Sequence, residues 1–103
     1  MKLIKDIVEM INEELDGAEK YAVMAVKHKS DNPVLAKTFY DISTDEMRHV
    51  DLLHSEVVKL IEEHRKLKGD PPVSMLAVYN YLHEKNIEHA KEVKIYQNQY
   101  KES

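Results

Sequence analysis

The sequence predicts an all-α fold, and three observations support this prediction. The chain of 103 residues contains only two glycines and three prolines, too few turn-forming residues for an all-β or α/β fold. Residues that favour helix, such as Ala, Leu, Glu, Lys and Met, are abundant. Apolar residues also recur at alternating steps of three and four along three segments. We therefore expect one helical domain over residues 1–103, with helices at about residues 2–29, 33–68 and 72–100.

The first predicted helix carries one apolar row that a single acid interrupts. The position that completes the row between Ile11 and Ala18 is Glu14, where the helical period calls for a buried apolar residue. His28 ends the row, near the end of the helix, where it can be solvated or interact with the last carbonyls. The apolar members of the row are Ile4, Ile7, Ile11, Ala18, Tyr21 and Ala25.

Two short segments separate the three predicted helices. Residues 30–33 read Ser-Asp-Asn-Pro, which places Pro33 at the first helical position with Asn32 or Asp31 as the cap. Residues 69–72 read Gly-Asp-Pro-Pro, which ends the second helix at Gly69. Because the first connection is so short, we expect the first two helices to form an antiparallel hairpin.

The second predicted helix also carries polar residues on its apolar row. Glu46 and His49 occupy row positions and are three residues apart, so both side chains point to the same face. The other members of this row are Leu35, Phe39, Ile42, Leu53, Val57, Leu60 and His64. The row of the third helix is more polar, since it includes Asn86, Gln97 and several tyrosines, and this composition suits partial packing on another subunit.

Glu14, Glu46 and His49 are the candidate metal ligands. Counted from the turn near Asn32, Glu14 lies about 18 residues before it and the other two about 14 and 17 after it. All three therefore fall within roughly 6 Å along the axis at about 1.5 Å per residue. A buried ionised carboxylate is costly unless it is paired or bound to a cation. One Glu facing a Glu-x-x-His is half of the ligand set of carboxylate-bridged di-iron bundles, and a symmetric dimer would complete that set.

Other acid and histidine groups are weaker candidates. Asp51 and His54 form the only other acid-x-x-His, but His54 lies about 140° around the helix from His49 and so faces elsewhere. Glu84, Glu88 and His89 on the third helix are expected to form a solvated surface, since lysines stand among them.

Composition excludes several classes of function. The chain has no cysteine, which excludes disulfides and thiolate sites and leaves His and carboxylates as metal ligands. The net charge of −4 is spread along the chain without a basic patch, which argues against nucleic-acid binding. No apolar run reaches the length of a signal peptide or a membrane span, so we expect a cytoplasmic protein without a membrane partner.

These residues resemble the first half of the ferritin-like superfamily over roughly residues 1–68. The resemblance rests on the run from Glu14 to Tyr21, on Glu46-Met47-Arg48-His49 about thirty residues later, and on the apolar row that continues beyond them. It is closest to rubrerythrin-type domains and to the short encapsulated ferritins, whose half-bundles dimerise to build a di-iron ferroxidase site. The resemblance implies that Glu14, Glu46 and His49 are iron ligands, with Glu46 bridging, and that Tyr21 is the family's tyrosine after the first ligand.

Together these observations predict a homodimer, or a multiple of dimers, that forms a ferritin-like four-helix bundle. It would bind two iron ions per dimer, with manganese or zinc as alternatives, and oxidise Fe(II) as a ferroxidase. Tyr21 and Glu56, each seven residues after a predicted ligand, are candidates for a supporting or metal-transfer role. Two alternatives stay open: a non-catalytic metal-binding or buffering protein, and a dimeric helical adaptor without metal whose polar residues set the register.

Overall fold

The computed structural model describes residues 2–103, which form three helices. These are α1 (Lys2–His28), α2 (Pro33–Lys68) and α3 (Val73–Glu102), and no strand occurs in this part of the chain. The all-α prediction is confirmed, with α1 ending one residue before, and α3 two residues after, the predicted position. The molecule measures 55 × 18 × 18 Å. Between residues 2 and 102 no helix combines the length and apolarity needed to cross a membrane.

The two ends of α2 are fixed by the residues that the sequence indicates. The Asn32 side chain caps the helix by accepting a hydrogen bond of 3.3 Å from the backbone N–H of Leu35. At the other end Gly69 has a φ of 80°, which favours glycine, and its N–H donates to the carbonyl of Arg65 at 3.0 Å. Asp31, the alternative cap, lies 3.2 Å from His28 Nδ1 instead.

The hydrophobic core lies along α1, because α1 packs against both other helices while α2 and α3 touch at few points. Large aliphatic residues fill the end of the core nearest the N-terminus of α1. Toward the turn between α1 and α2 the buried residues become small, which lets the two helices approach closely. The buried residues of α1 are Ile4, Val8, Ile11, Leu15, Ala18, Ala22 and Ala25.

The buried row of α2 is displaced by one residue from the predicted row. The buried residues are Ala36, Ser43, Val50 and Val57. Most members of the predicted row are half-buried and lie at the boundary between α1 and α2. We call this surface the open face; it consists of Leu3, Ile7, Met10, Glu14 and Tyr21 on α1 and of Leu35, Phe39, Ile42, Glu46, His49 and Leu53 on α2.

Helix α3 lies on the other side of the hairpin from the open face. Its N-terminal half contacts Ile4 and Val8, and His89 in its middle contacts Glu19. These three α1 residues lie about 80°, 120° and 140° around the helix from Glu14, all in the same direction. The predicted apolar row of α1 therefore spans two surfaces: Ile4, Ile11, Ala18 and Ala25 are buried in the chain's own core, whereas Ile7, Glu14 and Tyr21 are half-buried.

A buried hydrogen-bond chain attaches α3 to the hairpin and explains the polar Gln97 on its row. Gln97 Nε2 donates to Ser43 Oγ at 2.9 Å, and Ser43 Oγ donates to the carbonyl of Ala18 at 2.7 Å. Ser43 is fully buried. Near the C-terminus Lys29 Nζ donates to the carbonyls of Tyr100 and Ser103.

Replacing this buried hydroxyl is expected to destabilise the fold. Ser43→Ala leaves the Gln97 amide without its acceptor, so the free energy of unfolding should fall by about 1–2 kcal/mol. Urea unfolding followed by circular dichroism measures this change. The matched control is Ser55→Ala, at an exposed position of the same helix, and an equal effect in both variants would contradict the role given to Ser43.

Candidate metal centre

The antiparallel hairpin brings Glu14 and His49 together, as counting from the turn predicts. Glu14 Oε2 lies 3.4 Å from His49 Nδ1, the distance of a long hydrogen bond between α1 and α2. Their side chains are 33% and 45% exposed, so the pair is accessible from the open face. A carboxylate that holds one ring nitrogen fixes the orientation and the tautomer of the imidazole.

Glu46 lies one turn before His49 and is the more unusual of the two carboxylates. Its Oε2 is buried and has no hydrogen-bond partner, and no other side-chain oxygen or nitrogen of residues 2–103 is in this state. Burial raises the pKa of Glu46, the negative charge of Glu14 raises it further, and His49 opposes both effects. An unsatisfied buried acceptor costs on the order of 1–3 kcal/mol. Binding of a proton or a cation to this carboxyl group is therefore favourable.

Gly17 makes the space that the Glu46 carboxylate occupies. A Cβ atom on Gly17 would lie 2.1 Å from Glu46 Oε2 and 2.9 Å from its Cδ, distances that van der Waals contact forbids. A glycine inside a helix costs about 1 kcal/mol relative to alanine, and here that loss coincides with room for a carboxylate. Sequence reasoning missed Gly17; the available signal was a glycine in the middle of a helix, three residues after Glu14.

The other two predicted residues have different surroundings. Tyr21 is half-buried and packs against Phe39 with 5.9 Å between ring centroids, and Phe39 also lies 6.4 Å from the ring of His28. These rings border the open face on the side of the turn. Glu56 is exposed, and its Oε1 lies 3.2 Å from Lys59 Nζ on the same helix. This contact does not connect Glu56 to Glu46.

The donor set fits a hard or borderline metal ion such as Fe(II). Carboxylate and imidazole are ligands that iron accepts, and Glu46 offers an oxygen without a competing donor. Within residues 2–103 of one chain, no three His, Asp or Glu side chains converge closely enough to hold a metal ion. In one chain, therefore, Glu14, Glu46 and His49 lie at one level of the hairpin, but they do not form a complete coordination sphere.

A sequence model of the rubrerythrin family matches residues 7–103, which is nearly the whole chain. The chain belongs to the rubrerythrin family. The resemblance to the ferritin-like superfamily is thereby confirmed, because this family is part of that superfamily. The match extends past residue 68, so it includes α3 as well as the hairpin. Comparison with curated proteins and with solved structures finds no match.

Members of the rubrerythrin family typically bind iron. Glu84, Glu88 and His89 were expected to form a solvated surface, and His89 departs from this expectation. His89 is only 16% exposed, and its Nε2 lies 2.8 Å from Glu19 Oε2 and 3.7 Å from Asp16 Oδ1. The expectation of a solvated His89 was wrong, because α3 turns this residue toward α1.

Proposed function

We propose that this rubrerythrin-family chain is a di-iron carboxylate protein that oxidises Fe(II) at a site formed between two subunits. The observation that carries the proposal is the buried, unpartnered oxygen of Glu46, held beside Glu14 and His49 on the open face. A buried carboxylate without a hydrogen-bond donor is stabilised by a cation. The space left by Gly17 supports the same assignment, because any side chain at this position would collide with the Glu46 carboxylate.

Ligand counting supports a second copy of the chain as the partner. Two iron ions in a four-helix bundle take four carboxylates and two histidines, and one chain offers two carboxylates and one histidine at this level. A two-fold interface pairs a surface with itself, so apposed open faces would double the set. Apolar residues surround the ligands on this face: Leu3, Met10 and Leu35 are 59%, 50% and 40% exposed, and burying them favours association.

The proposed ligands have distinct tasks. Glu46 and Glu14 would hold iron through carboxylate oxygens, and the Glu46 Oε2 atom is buried and free of any competing donor. His49 would supply nitrogen ligation, with its ring oriented by Glu14. Iron supplies the one-electron redox chemistry once it is bound. With dioxygen as the oxidant, two Fe(II) ions each lose one electron, and dioxygen takes up two electrons and two protons to give hydrogen peroxide. No side chain acts as a nucleophile.

Aerobic addition of Fe(II) to the metal-free protein tests this function. The absorbance of ferric iron follows oxidation, and light scattering after gel filtration follows oligomer size. We expect oxidation faster than in buffer alone, with two iron ions per dimer. Stoichiometric binding without turnover would instead indicate a metal-buffering protein. A lack of binding at high protein concentration would contradict both and favour the metal-free adaptor.

A charge on the open face is expected to separate the subunits and abolish fast oxidation. Met10→Lys places an ammonium group at a half-exposed position, which costs little in the free chain but has no partner when the same face meets a copy of itself. The dimer dissociation constant should rise at least ~100-fold. Sedimentation equilibrium and the iron oxidation rate give the two readouts.

Val23→Lys is the matched control for this experiment. Val23 is also a partly exposed apolar residue of α1, but it lies nine residues from Glu14 and so about 180° around the helix. It should leave both the dimer and iron oxidation unchanged. Loss of the dimer in Val23→Lys but not in Met10→Lys would show that a different face associates.

A further inference from the structure

Two histidines stack on each other where α2 and α3 meet. The ring centroids of His54 and His83 are 5.1 Å apart with 19° between the ring planes, and the ring of Tyr79 stacks on the other side of His83 at 5.8 Å. Both imidazoles are half-buried. His54 points away from His49, as the sequence indicates, and it faces α3.

The histidine pair lines a groove with a carboxylate near by. The groove has a volume of about 340 Å³, and Asp51 and Asn86 contribute polar groups to its otherwise apolar wall. Asp51 lies one turn before His54 on α2, so both side chains project to the same side of the helix. Because α2 and α3 touch at few points, the contact between His54 and His83 is one of the few direct links between them.

The geometry points to a Zn²⁺ site formed by Asp51, His54 and His83, separate from the proposed iron centre. Two imidazoles and a carboxylate, with water as a fourth ligand, are a donor set that Zn²⁺ accepts in tetrahedral geometry. With Zn–N bonds of about 2.0–2.1 Å, two ligand nitrogens lie roughly 3.3 Å apart. The imidazole rings are stacked with centroids 5.1 Å apart, so the site requires both rings to rotate about their side-chain bonds until a nitrogen of each faces the ion.

The same geometry says what the ion does. In the observed rotamers the three side chains do not yet converge on one point, so binding requires the two rings to turn toward each other. Once bound, the ion links α2 to α3 across a boundary that few other contacts hold. His54 lies about 140° around α2 from His49, so the site is on the side of the hairpin away from the open face and does not depend on the proposed iron site.

Calorimetric titration of ZnCl₂ into the metal-free protein tests the site. The Glu46→Gln background removes the bridging carboxylate of the iron centre. We expect one Zn²⁺ per chain in this background, and binding weakened at least ~10-fold by His54→Gln, by His83→Gln and by Asp51→Asn. His64→Gln, at a half-buried position of the same helix, is the matched control and should bind as the background does. Unchanged affinity in the His54 and His83 variants would overturn the assignment.

Thermal unfolding provides a second readout and a variant that keeps the stack. His83→Phe preserves a flat ring against His54 and Tyr79 but removes the nitrogen ligand. The melting temperature should rise with Zn²⁺ concentration in the Glu46→Gln background, and should not respond to Zn²⁺ in Glu46→Gln/His83→Phe. An equal rise in both proteins would overturn the site. Iron binding measured on the unmodified chain and on His83→Phe alone reports on the other centre, so failure of either site is seen independently.

Discussion

Gly17→Ala is expected to weaken iron binding at least ~10-fold while the helices stay folded. The added methyl group would lie 2.1 Å from Glu46 Oε2, so the carboxylate must leave its position between α1 and α2. Alanine would otherwise stabilise a helix by about 1 kcal/mol relative to glycine, which makes a loss of function in this variant specific to the displaced ligand. Competition with a fluorescent iron chelator measures the affinity, and circular dichroism measures the helix content.

A double-mutant cycle separates the displaced ligand from other effects of the methyl group. In a Glu46→Ala background there is no carboxylate for the methyl group to meet, so Gly17→Ala should there raise the free energy of unfolding by its helix propensity alone. In the presence of Glu46 the same substitution should stabilise less, or destabilise. Equal stabilisation in both backgrounds, with unchanged iron affinity in the single variant, would show that Gly17 has no role in positioning Glu46.

Glu46→Gln is expected to abolish tight iron binding and to stabilise the metal-free protein at neutral pH. The proposed iron site loses a carboxylate ligand, while the fold loses a carboxylate whose buried oxygen has no hydrogen-bond partner. At pH 7 the free energy of unfolding should rise by about 1 kcal/mol. Urea unfolding in the presence of a chelator measures this. Glu13→Gln removes an exposed carboxylate from α1 and serves as the control, with no expected effect on either quantity.

The pH dependence of the same pair gives the sign of the Glu46 contribution. Burial raises the pKa of Glu46 above its ordinary value in the folded chain, so the folded state takes up the proton at a higher pH than the unfolded state. As pH falls from 7 toward the ordinary glutamate pKa of 4.5, the destabilising effect of the Glu46 charge therefore decreases, and it returns as pH rises through the raised pKa of the folded state. The advantage of Glu46→Gln should shrink over this range. An advantage that grows toward acid pH would contradict the assignment.

Most of the helical architecture follows from local rules. Asn32 and Gly69 mark the ends of α2 through a side-chain cap and a positive φ, both of which involve only neighbouring residues of the chain. The meeting of Glu14 and His49 follows from the short turn, because a tight antiparallel hairpin fixes which residues share a level.

What the sequence could not provide is the choice between two neighbouring apolar rows. On α1, Ile4 and Ile7 belong to one helical series, yet only Ile4 is buried in the chain's own core. The helical period indicates that both residues lie on an apolar face. It does not indicate whether α3 or another molecule covers each of them. His89 was misread for the same reason, since its contact with Glu19 depends on the rotation of α3. The role of Gly17 depends on its missing Cβ atom; a glycine in the middle of a helix signals that space is needed, but not which side chain fills it.

The buried side chains of α1 change in size along the hairpin. Between Ala18 and Ala25 the buried residues of α1 are alanines, and from Ile4 to Leu15 they are larger branched residues. Gly17 and Glu46 lie where the buried alanines give way to the larger side chains. A larger residue among these alanines, such as valine at Ala22, is expected to push α1 and α2 apart. It would thereby change the positions of the proposed ligands without contacting any of them.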